Sequence, residues 1–446
     1  MQLKGHNHRY AVDQMAVALF GDGYIDYVSE LTETTAITRI VHNGLSSSAS
    51  EPVVGYGDRQ SEQYALKTSF YKAARPLLAY QPVWGAVSGV KPVQLALKGV
   101  DLVRDYYVSP DRAELCYTAA DYAKSIQASL SDQDAVLYVG IPFCPGRCLY
   151  CSFVSAAIEK SIGLIEPYLE ALHNEITRNA TRASAAGTRI RAVYIGGGTP
   201  TSLSIRQLLG IIDAIHTRFD LSACTEFCVE AGRPDTITRN MCDALKTAGV
   251  TRISVNPQTM NDRVLKRIGR AHTANETLVA YESARAAGFA NVNMDLIAGL
   301  PGDTVTSFQH SLNRCIELDP ENVTIHTLTR KRGSDLDVAN ELVSDIPSVS
   351  DTAEMLDYAY STLQAAGYSI YYLYKQKYSV GGFENTGWTK PGKECIYNPC
   401  MMEELCSVIA LGAGGATKIL DRNAKRRIER RFNKKYPRDY IADGAS

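Results

Sequence analysis

Val136-Leu-Tyr-Val-Gly-Ile-Pro-Phe-Cys-Pro-Gly-Arg-Cys-Leu-Tyr-Cys-Ser-Phe153 is an apolar strand running straight into a loop that carries Cys144, Cys148 and Cys151. The cysteine spacing is three residues, then two. With 11 cysteines in 446 residues, composition alone makes this triplet improbable. Three thiolates on one loop can each ligate one iron of a [4Fe–4S] cluster. A fourth iron would then stay open to a cofactor or substrate. Zinc is an alternative, but it wants a fourth nearby ligand. Unmetallated structural thiols are the other. Pro142 and Pro145 stiffen the loop, and Phe143 and Phe153 are placed to shield a cluster from solvent.

The strand opens a rhythm. Helical periodicity follows at Ile165–Arg178, then an apolar strand ends at Ile195. Ser204–Phe219 is helical, with Leu208, Ile211, Ile212 and Ile215 on one stripe. Glu226–Ala231, Thr251–Pro257, Asn291–Ala298 and Asn322–Leu328 read as further strands. Thr236–Ala248, Thr273–Ala287, Val305–Leu318 and Asp351–Ala366 read as the helices between and after them. Strands alternating with helices imply a parallel sheet, since parallel strands need helical crossovers. A right-handed series of six such units predicts an α/β fold, a partial (β/α)6 TIM-like barrel, with a flat doubly wound sheet as the alternative. Either architecture puts function at the C-terminal strand ends.

The cysteine loop falls at that end, and so does Gly196-Gly-Gly-Thr-Pro200. Bare backbone at Gly196, Gly197 and Gly198 could approach a small cofactor, or form only a tight turn. Glu230, Gln258, Arg270 and Asp295 stand at or after successive strands; each alone reads as a cap or surface group, but four together point to one site. Cys395, Cys400 and Cys406 could hold a second cluster, although their spacing matches no ferredoxin pattern; buried thiols are the simpler expectation. Cys116, Cys224, Cys228, Cys242 and Cys315 read as core. Tyr372 and Tyr374 read as barrel packing. The basic run Lys425–Lys435 reads as a solvated helix face, or else as a clamp for a polyanion.

Residues 1–130 lack the rhythm and are expected to form an N-terminal α/β accessory domain. Ala65–Leu78 and Asp111–Leu130 are its helices, and Gly44–Gly57 is a Ser/Gly-rich loop. Residues 131–340 are the barrel core, and 341–446 complete and cover it. With 45% apolar and 21% charged residues and a net charge of −1, nothing draws the chain to nucleic acid or a membrane surface. No apolar run is long enough to span a bilayer, and the N-terminal residues lack the apolar centre of a signal peptide. Reduced thiols in the cytoplasm are the expectation.

Four segments carry a family resemblance: Tyr138-x-x-Ile-Pro-Phe-Cys144-x3-Cys148-x-Tyr-Cys151, Tyr194-Ile-Gly-Gly-Gly-Thr-Pro-Thr201, Val264-Leu-Lys-x-Ile-Gly-Arg-x-His272 and Asp295-Leu-Ile-x-Gly-Leu-Pro-Gly302. They resemble the radical S-adenosylmethionine (SAM) enzymes, and within them the oxygen-independent coproporphyrinogen III oxidases. Trp84-Gly-x-x-Ser-Gly-x-Lys-Pro92, His326-Thr-Leu-Thr-x-Lys-Arg-Gly333 and Lys390-Pro-Gly-Lys-Glu-Cys395 resemble the coproporphyrinogen dehydrogenase, or HemZ-type, branch. The resemblance implies that Cys144, Cys148 and Cys151 hold the cluster and that SAM chelates its open iron. Gly197, Gly198 and Thr199 would line the methionine end, with Tyr138, Tyr150, Ser152 and Glu230 contacting cofactor. Gln258, Arg270 and Asp295 match positions for a second SAM, with Leu328 adding a backbone contact. The implied reaction is decarboxylation of two coproporphyrinogen III propionates to vinyl groups through a 5′-deoxyadenosyl radical. Flavodoxin or ferredoxin would donate the electron to a monomeric enzyme. A radical SAM methyltransferase acting on a tetrapyrrole, a haem-binding chaperone and a cluster module without SAM share the motifs. One position departs from many family members, which have histidine where this chain has Gly140; the HemZ-type branch carries glycine.

Overall fold

A computed structural model describes residues 1–21, 25–151, 155–329, 344–376, 380–421 and 427–444. Six strands, Asp134–Ile141, Arg189–Gly197, Glu226–Val229, Arg252–Ser254, Val292–Ala298 and Asn322–Thr327, lie side by side in chain order, each parallel to the next. A doubly wound sheet reverses its strand order at a switch point. This one does not, so the sheet is the wall of a partial barrel. The connecting helices include Ile162–Ala185, Ile205–Arg218, Arg239–Thr247, Ala274–Ala286, Val305–Glu317 and Val349–Ala365. Their starts follow the local chemistry: Ser204 with Gln207, and Thr273 with Glu276, form reciprocal capping boxes. The stripe Leu208, Ile211, Ile212 and Ile215 is buried against the strands.

The sheet continues past both ends of the six. Ser407–Leu411 adds a seventh parallel strand beside the first, followed by antiparallel Ala416–Asp421 and Arg427–Phe432. On the other flank Glu384–Thr389 pairs antiparallel with the sixth strand, and Ser369–Lys375 with it in turn. Among the described residues the outermost strands do not pair with each other, which leaves the barrel open. The expected helix in the basic tail is therefore corrected over its described part: Lys425 and Arg426 lie outside the described residues, and Arg427–Phe432 is an edge strand. Its charges suit that place, because charged side chains on an edge discourage further pairing.

A second correction concerns Gly44–Gly57. Leu45–Pro52 is a strand, joined to Thr35–His42 by a two-residue turn in which Asn43 has φ 51° and Gly44 φ 77°. Asn-Gly is the pairing such a turn demands. Together with Gln2–Lys4 and Asp26–Leu31 these strands form a separate four-stranded sheet. Helices Arg9–Phe20 and Arg59–Ala74 bury Val12, Met15, Leu66 and Phe70 on it. Trp84, Val87, Leu102 and Leu115 instead belong to the barrel's core.

Candidate active site

The first strand delivers the cysteine loop, and the second strand holds it. Gly198 N–H donates to Ile141 O at 2.7 Å and Thr199 N–H to Phe143 O at 2.7 Å. A Cβ on Gly198 would lie 2.6 Å from Phe143 O and 2.9 Å from Cys144 Sγ; one on Gly196 would lie 2.6 Å from Glu230 Oε2. The glycines are thus required by the close approach of the chain to itself at the mouth of the site. Leu149 N–H donates to Ile268 O at 3.0 Å, tying the far side of the loop to the segment that carries Arg270.

Cys144, Cys148 and Cys151 line one cavity of ≈ 250 Å³, with Gly197, Gly198, Thr199 and Glu230 beside them. Tyr150, Gln258, Arg270, Asp295 and Leu328 line the same cavity. Tyr138 does not line it; its ring stacks on Tyr194 and Tyr397 at 6.3 and 6.2 Å, and its hydroxyl reaches the Gly197 position from below. Ser152 and Phe153 lie outside the described residues. Tyr374 also faces the cavity, while Tyr372 packs in the barrel interior.

Arg270 Nη1 donates to Asn256 O at 2.9 Å and Nη2 to Tyr150 Oη at 3.2 Å. Asp295 accepts from Asn293 Nδ2 at 2.7 Å and stands 3.7 Å from His326 Nε2. Burial would raise the Asp295 carboxyl, but His326 and the other hydrogen bonds outweigh it and hold the pKa low. Burial first, and the Asp295 charge second, push Glu230 up to about 7. Gln258 takes φ 67°, a left-handed conformation uncommon for a non-glycine residue. Its N–H donates to Asp295 O at 2.9 Å and its carbonyl accepts from Ile297 at 3.0 Å, so the sheet itself enforces the bend.

Among the residues of the cavity wall that the sequence reading did not single out are Arg233, Asn256 and His326. Asn256 and His326 follow the same rule as Glu230, a polar group at an inward-facing strand end, and that rule could have found them. Arg233 comes from an irregular turn and carries no periodic signal. Gly140 also has a reason. A Cβ there would come within 3.3 Å of Ala413 O, and Tyr168 Oη donates to Gly140 O at 2.6 Å. The loop after the seventh strand occupies the space a larger side chain would need.

The donor set suits an iron–sulfur cluster. Thr199 Oγ1 donates to Cys144 Sγ at 3.6 Å, and burial pushes the Cys144 thiol up while this bond opposes it. Among the described residues, no three cysteine, histidine or carboxylate groups converge on one ion position. Zinc would need that convergence, whereas a cubane takes one thiolate on each of three irons. Among the described residues, Asn256 Oδ1 and Arg270 Nε are buried on the cavity wall with no hydrogen-bond partner, which suits a polar ligand there. Cys395, Cys400 and Cys406 are buried thiols in no disulfide among the described residues, and Cys395 Sγ donates to Glu226 Oε1 at 3.0 Å, which fits the simpler expectation of buried thiols. No helix among the described residues is long and apolar enough to cross a membrane.

A model of the Radical SAM superfamily matches residues 138–315. The chain is 35% identical over 371 residues to the oxygen-independent coproporphyrinogen-III oxidase-like protein HemZ of Bacillus subtilis (strain 168), an alignment covering 80% of this chain and 74% of that protein. It is 33% identical over 263 residues to the heme chaperone HemW of the same organism, covering 58% and 65%. Among solved structures it is similar to coproporphyrinogen III oxidase (HemN) from Escherichia coli, with a TM-score of 0.57, 23% identity and 73% of each chain covered.

Proposed function

The chain belongs to the oxygen-independent coproporphyrinogen-III oxidase-like family of radical SAM proteins, and from that membership we propose that it decarboxylates two propionates of coproporphyrinogen III to vinyl groups, giving protoporphyrinogen IX. The observation that carries the reading is the single cavity in which three thiols face Glu230, Gln258, Arg270 and Asp295. The choice of substrate is supported by the likeness to HemZ along 80% of the chain.

Cys144, Cys148 and Cys151 would each hold one iron. When bound, the cluster with SAM on its open iron supplies reductive cleavage of a sulfonium C–S bond and hence a 5′-deoxyadenosyl radical. The protein's own part is to bind, orient and exclude water. Gly197, Gly198 and Thr199 offer a backbone edge to the methionine end, and Tyr138 supports that edge from below. Glu230, whose pKa burial and then Asp295 push up to about 7, can pair an ammonium group, which would hold it ionised at lower pH. Arg270, with its free Nε, can pair a carboxylate, and Asn256 Oδ1 can accept from an amine. Tyr150, Gln258, Asp295 and Leu328 complete the wall for a second SAM. A cytoplasmic one-electron donor such as flavodoxin or ferredoxin would serve a monomeric enzyme.

The test is anaerobic incubation of the reconstituted protein with SAM, dithionite and coproporphyrinogen III, read by mass spectrometry. Two successive losses of CO2 plus two hydrogens, with 5′-deoxyadenosine formed, are expected. The likeness to HemW supports one rival: tight stoichiometric haem binding with no decarboxylated product would establish a carrier instead. S-adenosylhomocysteine in place of vinyl product would establish methyl transfer.

A further inference from the structure

Arg233 has no part in the reading above, yet it reaches the cluster ligands. Its Nη1 lies 3.7 Å from Cys148 Sγ and 3.5 Å from Gly146 O, donating toward both. The residue is 4% exposed. Asp235 grips the other edge of the guanidinium in a fork, Nε to Oδ1 and Nη2 to Oδ2, both at 2.9 Å. The turn beneath is rigid: Thr236 Oγ1 donates to Arg233 O at 2.8 Å and pairs with Thr201 Oγ1 at 2.7 Å. A fork held on one edge leaves the opposite edge aimed at a fixed point. That point is the sulfur of the middle cysteine.

We propose that the Arg233–Asp235 pair is a positioning device that hydrogen-bonds the Cys148 thiolate and sets the reduction potential of the cluster. Hydrogen bonds to ligating sulfurs and nearby positive charge favour the more negative, reduced state. A cubane on three thiolates gains one negative charge on reduction, so Arg233 stabilises the reduced form more than the oxidised one. Asp235 moderates this by offsetting part of the guanidinium charge. The two residues therefore act with opposite sign, which a purely structural role would not produce. The proposal rests on the cluster assignment and not on the substrate.

The experiment is an EPR-monitored redox titration of the full, anaerobically reconstituted chain without SAM or substrate, with iron and sulfide content measured alongside. R233Q is expected to move the midpoint to a more negative potential, and D235N to a less negative one, at iron and sulfide content equal to the parent's. Equal midpoints in parent and variants, or shifts of the same sign in both, overturn the proposal. Should R233Q fail to hold its cluster, D235N decides alone: an unchanged or more negative midpoint overturns it. Failure of the parent chain itself to assemble a cluster would instead refute the cluster assignment.

Discussion

Gly198 leaves no room for a side chain, since its Cβ would sit against Phe143 O and Cys144 Sγ. Gly198→Ala is expected to displace the cysteine loop and cost about 1–3 kcal/mol; iron bound per chain after reconstitution, falling well below the parent's, is the measurement. Cys148→Ala should lose cluster assembly and 5′-deoxyadenosine formation while circular dichroism shows the barrel intact. Formation of 5′-deoxyadenosine by that variant would remove Cys148 from the ligand set. Glu230 gives a pH signature. Its folded pKa, about 7, is raised above the usual value of 4.5 by burial and then Asp295, so the folded state binds the extra proton. Its contribution to stability is present in full below about 4.5 and is lost as pH rises through about 7. Thermal melts of the cofactor-free protein should fall over that window, and Glu230→Gln should flatten that part of the profile.

The elements around the barrel are fastened by one buried ionic knot. Glu384, at the start of the strand Glu384–Thr389, has no solvent exposure and pairs with Arg112 Nε at 2.6 Å from helix Pro110–Ser129. Tyr360 Oη donates to Glu384 Oε1 at 2.9 Å from helix Val349–Ala365, and Trp84 Nε1 donates to its other oxygen. The Arg112 guanidinium lies over the Tyr360 ring at 4.7 Å. The next residue along, Asn385, accepts from Thr327 N–H and contacts His326, so the knot adjoins the wall of the site. Glu384→Ala would remove the buried one of the two carboxylates on Arg112, leaving Asp357 at 2.6 Å from Nη2, and would leave Tyr360 Oη and Trp84 Nε1 without their acceptor; the expected cost is about 3 kcal/mol. Denaturant titration should show that loss, and a difference under about 1 kcal/mol would mean that Asp357, already paired with Arg112, is sufficient to hold the guanidinium.

At the scale of the whole molecule, the cluster ligands lie on a loop outside the continuous apolar core formed by the strands and helices. Removing the cluster by anaerobic chelation and oxidation should therefore abolish SAM binding while leaving the melting temperature nearly unchanged; loss of cooperative unfolding would show that the cluster supports the fold. The barrel was legible because its signals are local. Apolar strands, 3.6-residue stripes and capping pairs such as Ser204 with Gln207 repeat along the chain, and each reports its own element. The four-stranded N-terminal sheet was missed at Leu45–Pro52 because a serine-rich edge strand has almost no apolar alternation, although Asn43-Gly44 marked its turn. The basic tail was misjudged because charge runs look alike on helices and exposed edges. By itself, then, the sequence determined the cysteine loop, the glycine turn, the six-unit parallel sheet and the family. Only the tertiary structure decided that Tyr150, Glu230, Gln258, Arg270 and Asp295 share one cavity with the thiols, that Arg233 reaches Cys148 Sγ from across it, and that Ser407–Leu411 extends the sheet beside the first strand. These are contacts between segments tens to hundreds of residues apart. They are set by how the strands register and close around a common axis, which no local run of residues encodes.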